Sequence, residues 1–345
     1  MKRFICIFIV SVLICSGVIY TGKADSASQP GRSNEPLFSI TGTVNNPIQL
    51  TLSSLEQMQS TEIKMNEVSS DGNYHGVFVY KAVPLRTLLN MADIEQKSST
   101  FNKLVDATIV LRDAVGNKVA LSWGEVYYHN PAEITVAYSS TPVYPQKHNC
   151  TKCHVPEDYI DAIEQLERKV AMPKLLINGD FYSDRFIEGI TNIDVVDLRP
   201  NIPVDQDARL RSNRIQVRGE VRQPLIITNL SDYPEIKVTK KVVGVGRGYH
   251  GLHTFRGTSI KSVLNAAGVE PRMDQVVMIS APDGYRSSFS MGELLISDRG
   301  DEIILADTVD GKPLVDGGNI RVMVGPDNTD DRDVQAVTNI EVIEL

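Results

Sequence analysis

From Leu37 onward the chain runs in short apolar–polar alternations broken by Gly, Pro, Asn and Asp. A period of two with turn residues between runs is the pattern of strands that bury one face. The pattern predicts an opening strand through Ile40, Thr41, Gly42, Thr43 and Val44, a turn at Pro47, and a strand around Glu62–Met65. At Leu85, Leu88, Leu89 and Ala92 the spacing changes to that of an amphipathic helix, predicted over 85–92. Alternation then returns around Thr108–Arg112, and a terminal strand closes the series at Ile193–Leu198.

The series occurs twice. Ile40-Thr-Gly42-Thr-Val44-Asn-Asn-Pro47 pairs with Val217-Arg-Gly219-Glu-Val221-Arg-Gln-Pro224, and Leu85-x-x-Leu-Leu89-Asn90 with Ile260-x-x-Val-Leu264-Asn265. Ser122-Trp-Gly-Glu125 returns as Ser290-Met-Gly-Glu293, Glu133-Ile-Thr-Val-Ala137 as Glu302-Ile-Ile-Leu-Ala306, and Ile190-Thr-Asn-Ile193 as Val337-Thr-Asn-Ile340. Five matches in one order define a duplicated domain, with a period too long for a solenoid. The repeats span 37–198 and 214–345, and the Pro- and charge-rich stretch 199–213 links them. Strands around Glu235–Thr239 and Val276–Ser280 and a helix over Ile260–Ala267 complete the second copy. The expected class is α+β: two tandem β-rich mixed-sheet domains with short helices.

The copies differ in one place. From Glu133 to Asp180 the first takes 48 residues, where Glu302 to Asp327 takes 26. The excess marks an insert at about 142–172. It contains Cys150-Thr-Lys-Cys153-His154, followed by a stretch whose Tyr159, Ile160, Ile163, Leu166 and Val170 form one helical stripe. The fold expectation therefore includes a helical, haem-binding insert in the first repeat.

Composition narrows what this motif does. Lys2 and Arg3 precede an apolar run from Phe4 to Tyr20, a signal-peptide pattern over 1–26 that is followed by a flexible leader at 27–36. Retained, the segment would anchor the chain to a membrane; cleaved, it leaves a periplasmic or extracellular protein. Of four cysteines, Cys6 and Cys15 lie in this segment, so the mature chain keeps only Cys150 and Cys153. A net charge of −8 argues against nucleic-acid binding. In an exported protein C-x-x-C-H is the attachment pattern of one haem c, with Cys150 and Cys153 forming thioethers and His154 the proximal iron ligand. A local disulfide, or a zinc site that also uses His148, would use the same residues. Met172, just past the stripe and before Pro173, is the first candidate distal ligand, and His75 is the alternative. Met172 could equally be core filler.

Three further features stand out. Tyr74-His75-Gly76 and Tyr249-His250-Gly251 occupy matching places, either as turn-forming residues or as ligands; His250 with His253 could bind a metal. Gly244, Gly246 and Gly248 form a glycine-rich loop without the strand-to-helix setting of a nucleotide site. Asp327, Asp330, Asp331 and Asp333 form an acidic loop, a solvated turn or a cation holder.

Both copies resemble the molybdopterin-binding domain of the sulfite oxidase family. The resemblance rests on Gly-x-Val-x-x-Pro, the aromatic-led helix with Leu85 and Leu89, Asp283-Gly284-Tyr285, Ile304-Leu305-Ala306, Asp310-Gly311-Lys312-Pro313-Leu314 and Arg321-Val322-Met323-Val324. It implies a cofactor cleft with a Cys thiolate on the strand before the helix. The matching stretches, Lys64–Ser69 and Val238–Val243, contain no Cys. The sequence reading is thus a monohaem c-type cytochrome on this scaffold, without molybdopterin. It is an electron carrier rather than an enzyme, serving a redox partner protein. A binding module with a Cys150–Cys153 disulfide and a molybdopterin oxidoreductase lacking the thiolate are the alternatives.

Overall fold

The computed structural model describes residues 35–345, apart from 96–100, 102, 145–163, 165, 199–202, 206, 213 and 316–317. The N-terminal segment, the Cys150–His154 motif and much of the helical stripe lie outside these residues.

Each half builds one five-stranded sheet, and the strand order is the same in both. In the first, β2 (Ile48–Leu50), β1 (Phe38–Gly42), β9 (Ile190–Asp197), β5 (Ala107–Asp113) and β6 (Lys118–Ser122) are neighbours in that order. In the second, the order is β11 (Leu225–Ile227), β10 (Ile215–Gly219), β19 (Asn339–Glu344), β14 (Gln275–Ser280) and β15 (Arg286–Ser290). β1 with β9, and β10 with β19, are the parallel pairs in otherwise antiparallel sheets. Gly42 and Gly219 explain the Gly-x-Val signal. Both adopt positive φ, and a Cβ there would stand 2.2 and 2.0 Å from the carbonyl oxygens of Val195 and Val342.

The smaller sheets also correspond. β3 (Thr61–Val68) and β4 (Tyr74–Pro84) form a hairpin backed by β7 (Ile134–Pro142) and β8 (Lys174–Ile177). β12 (Ile236–Gly244) and β13 (Gly248–Ser259) form its counterpart beside β16 (Ile303–Val309), which also pairs with β18 (Arg321–Val324). Both hairpins carry a bulge at the same place: register shifts between Glu67 and Val68, and between Val242 and Val243. His75 and His250 are the unpaired bulge residues, and Gly76 and Gly251 beside them have φ of 112° and 125°. The repeated Tyr-His-Gly is therefore a bulge signature.

The expected α+β class with a helical insert is corrected by this architecture. The α-helices described over their whole length are five pieces of 5 to 8 residues: Leu52–Glu56, Leu85–Ala92, Trp123–Tyr128, Ile260–Ala266 and Met291–Leu295. Such helices are too short to form a layer and are held by capping and packing on the sheets. In the described part of the insert only 164, 166 and 167 are helical. The molecule is mostly β. The physical reason is that strands supply most of both cores, the first around Ile40, Tyr80, Leu111 and Ile193, the second around Val217, Ile279, Leu305 and Ile340.

Candidate functional site

Where the two repeats meet, the Ser-x-Gly-Glu turns face each other. Ser122 and Ser290 cap the short helices that follow and accept from the backbone N–H groups of Glu125 and Glu293. Each serine then donates across the boundary, Ser122 Oγ to Glu293 Oε2 at 2.8 Å and Ser290 Oγ to Glu125 Oε1 at 2.6 Å. Two fully buried arginines complete the arrangement. Arg185 donates to Glu125 at 2.7 Å and to both oxygens of Asp180 at 2.6 and 2.8 Å. Arg332 lies 2.6 Å from Glu293 and donates to the Asp327 oxygens at 2.5 and 2.7 Å. Gly292 and Gly124 make room for them, since a Cβ at either would stand 2.0 Å from the arginine Cδ of the other repeat. The repeated Asp-x-x-x-Asp-Arg spacing, Asp180 to Arg185 and Asp327 to Arg332, is the sequence signal that would have exposed this cluster.

His129 breaks the symmetry. Its Nδ1 is 3.2 Å from Glu133 Oε1 and its Nε2 is 3.2 Å from Asp327 Oδ1. Burial disfavours the charged imidazole, but the bonds to Asp327 and Glu133 outweigh burial and raise it to about 10. Burial likewise pushes the Asp327 carboxyl up, yet Arg332 and His129 leave it below the usual carboxylate range. Asp180, with Arg185 but no histidine, stays above that range because burial prevails. A folded value above the unfolded 6.5 means His129 contributes stability in full below pH 6.5 and loses it as pH rises through about 10. His129→Gln should therefore flatten the fall of Tm between pH 7 and 10, measured by calorimetry; an unchanged slope would disprove the assignment.

His129, Glu293 and Asp327 also bring one ligand atom each within 4.8 Å of one another. An ion bridging those carboxylates would need the place that Arg332 Nη2 holds, at 2.5 Å from Asp327 and 2.6 Å from Glu293. The cluster is neutralised by arginine and is a joint between repeats.

The open cleft lies elsewhere, in the second repeat. The glycine-rich loop and the acidic loop, distant in sequence, enclose a cavity of about 530 Å³. Gly244, Gly246 and Arg247 form one wall; Asp330, Asp331, Asp333, Asp283 and Tyr285 form the other. Lys103 reaches in from the first repeat and pairs with Asp331 at 2.7 Å. Lys240 neutralises Asp330 at 2.7 Å, and Asp333 takes Arg321 at 2.9 Å. This leaves Arg247 and Asp283 as lining charges with no ion-pair partner among the described residues. A Cβ at Gly246 or Gly248 would meet nothing within 4 Å, so the loop backbone faces open space. Burial and the Asp331 carboxylate hold the Tyr285 hydroxyl well above the usual phenol range, and it donates to the Asp331 carbonyl.

On the first repeat's hairpin, the strand position matching Val242 carries a buried acid at the centre of a polar cluster. Glu67, 1% exposed, accepts from Lys174 at 2.7 and 2.8 Å, from Arg168 at 2.9 Å and from the Tyr80 hydroxyl. Of the proposed haem residues, Cys150, Cys153 and His154 fall outside the described residues. Met172 is partly buried against the first core, and His75 Nε2 is 3.1 Å from Ser69 Oγ in the bulge. His253 bonds Asp310 at 2.6 Å and the His250 carbonyl at 3.3 Å, and no metal cluster among the described residues includes it.

Residues 201–344 match the family model of the oxidoreductase molybdopterin binding domain. The match spans the second repeat, where the open cleft lies. No curated protein matches this sequence. Solved structures that match include the sulfane dehydrogenase SoxCD from Paracoccus pantotrophus, with TM-score 0.32, 11% identity, and coverage of 89% of this chain and 77% of that one. The family match corrects the cofactor expectation: it points to molybdopterin where the sequence pattern indicated haem c and no molybdopterin. The physical reason is scale. C-x-x-C-H reports five residues of attachment chemistry, whereas the family pattern extends over the whole second repeat.

Proposed function

We propose that this chain is a molybdopterin-type oxidoreductase whose cofactor is held in the second-repeat cleft without a protein thiolate. The observation that carries this reading is that a cleft of about 530 Å³, lined except for Lys103 by residues of the segment 201–344, falls where the chain matches the molybdopterin family model. The lining suits such a group. The amino-pyrimidinone edge of a pterin offers N–H donors, which Asp283 can accept alongside the Tyr285 backbone N–H that its Oδ1 already takes at 2.9 Å. Its phosphate calls for a cation with backbone N–H groups nearby, which Arg247 within the glycine loop supplies. β12, Ile236–Gly244, the strand matched to the one that would bear the family's cysteine, carries none, so the metal would take no thiolate from that strand. When bound, the group supplies two-electron redox chemistry. The chain's residues bind and orient it: Tyr285 stays protonated as a donor, and Lys103 holds Asp331 in place. Export from the cytoplasm and electron exchange with a redox partner protein belong to this proposal.

The test is elemental analysis of the purified full chain for molybdenum, with fluorescence of the oxidised pterin. One metal and one pterin per chain are expected from a host that makes the cofactor. Arg247→Ala should lower pterin content about tenfold, as loss of a charged hydrogen bond implies. Full-length protein from that host with neither metal nor pterin would overturn the reading. It would favour a non-catalytic binding module, which the missing cysteine also supports.

A further inference from the structure

We infer that the C-terminal end of the insert is an intramolecular cap that closes the first repeat's copy of the cleft, leaving one working cleft per chain. The number of working clefts rests on the proposed function; the cap itself rests on geometry alone.

The two hairpins can be compared position by position because their bulges coincide. Glu67 faces Gly76 as Val242 faces Gly251, and Met65 faces Phe78 as Lys240 faces His253. Lys174 and Arg321 occupy one place on the neighbouring strands, opposite Ala137 and Ala306. The surroundings are opposite in kind. Phe78 is 1% exposed, while the His253 side chain is 34% exposed. What covers Phe78 is the end of the insert. The Arg168 guanidinium lies 5.3 Å from the centre of its ring, and Leu166 packs beside Gly76 and joins the first core.

Arg168 is the fastening. It donates to the His75 carbonyl at 2.9 Å, to Glu67 at 2.9 Å and to Glu188 at 2.8 Å. The backbone N–H of Ala171 adds a bond to Glu188 at 3.0 Å. A second latch ties the hairpin tip down: Ser70 donates to Asp184 through its backbone N–H at 2.9 Å and its hydroxyl at 2.6 Å. Among the described residues of the second repeat neither device is present. Val245 stands at the place of Ser70 and is 67% exposed, Asp331 at the place of Asp184 turns to Lys103, and Gln335 replaces Glu188. No insert follows β16. The second cleft is open for want of the parts that close the first.

The contact is polar and the Arg168 side chain is 24% exposed, so it is a fastening that water can reach. Hydrogen exchange read peptide by peptide on the full chain tests it. Arg168→Ala should speed exchange in 66–80 at least about tenfold, given the worth of charged hydrogen bonds, and leave 241–255 unchanged. Arg168→Lys, which keeps the charge but not the fork, should fall between. Lys169→Ala, an exposed neighbour, should match wild type. Unchanged exchange in 66–80, or an equal rise in both hairpins, would overturn the cap. Pterin content does not enter this readout, so failure of the cofactor proposal would leave it standing, and the reverse. If both hold, the pterin-to-chain ratio is one in the wild type.

Discussion

Arg332→Ala is expected to cost about 3–5 kcal/mol of unfolding free energy, the penalty of breaking a buried ion-pair cluster by removing one partner. The guanidinium is completely buried and serves three groups: Asp327, Glu293 and, at 3.1 Å, the Ser122 hydroxyl of the other repeat. Without it two carboxylates remain in a low-dielectric joint with only His129 opposite Asp327. The penalty is the desolvation of unpaired charge, not the worth of the pair, which against an apolar substitute could be near zero. Arg332→Ala combined with Asp327→Ala should recover part of the loss, because one uncompensated carboxylate is gone. Arg185→Ala should cost a similar amount, as its partners Asp180 and Glu125 are equally buried. Urea unfolding of these variants is the measurement. A loss under about 1 kcal/mol for Arg332→Ala would place the joint among the weak, solvated pairs.

Glu67→Ala should be of comparable size, again about 3–5 kcal/mol, for the converse reason. The carboxylate is the common acceptor of Lys174, Arg168 and Tyr80, and Lys174 is itself 1% exposed. Its removal leaves a buried ammonium with Glu188, 3.0 Å away, as its only remaining charge partner among the described residues. Burial, reinforced by the charge of Glu67, holds the Tyr80 hydroxyl far above the usual phenol range, so it remains a donor without an acceptor. Glu67→Gln should cost less, since the amide oxygen can still accept one bond. Thermal unfolding that ranks the glutamine variant below the alanine variant would contradict this account.

The two clusters show what a repeat reveals and what it hides. The matches Ser122-x-Gly-Glu125 and Ser290-x-Gly-Glu293 were legible as a duplication. That the same residues reach across to the other copy was not, because nothing in a linear pattern states which surfaces meet. Tyr74-His75-Gly76 raised a choice between ligand and turn. The glycine's positive φ and the shifted register place the histidine at a bulge in both copies. The helix over 85–92 was legible from four apolar positions at helical spacing, and all four are buried. Calling the whole α+β gave those few residues too much weight. The ladders that dominate are made of contacts between residues far apart in sequence.

The cleft is the strongest case. The glycine loop at 244–248 and the acids at 330–333 were each visible, and each alone had an uneventful explanation. Folding brings them together because β13 returns alongside β16 and β16 pairs β18, which delivers the acidic loop to the hairpin tip. By itself, the sequence determined the duplication, the strand series and the turn glycines, since all of these follow from local spacing and steric need. Tertiary structure alone decided that the repeats are joined by reciprocal buried arginines, and that one cleft is open while its twin is closed. Those outcomes depend on which charges share a low-dielectric space, and such proximity is a property of the folded chain.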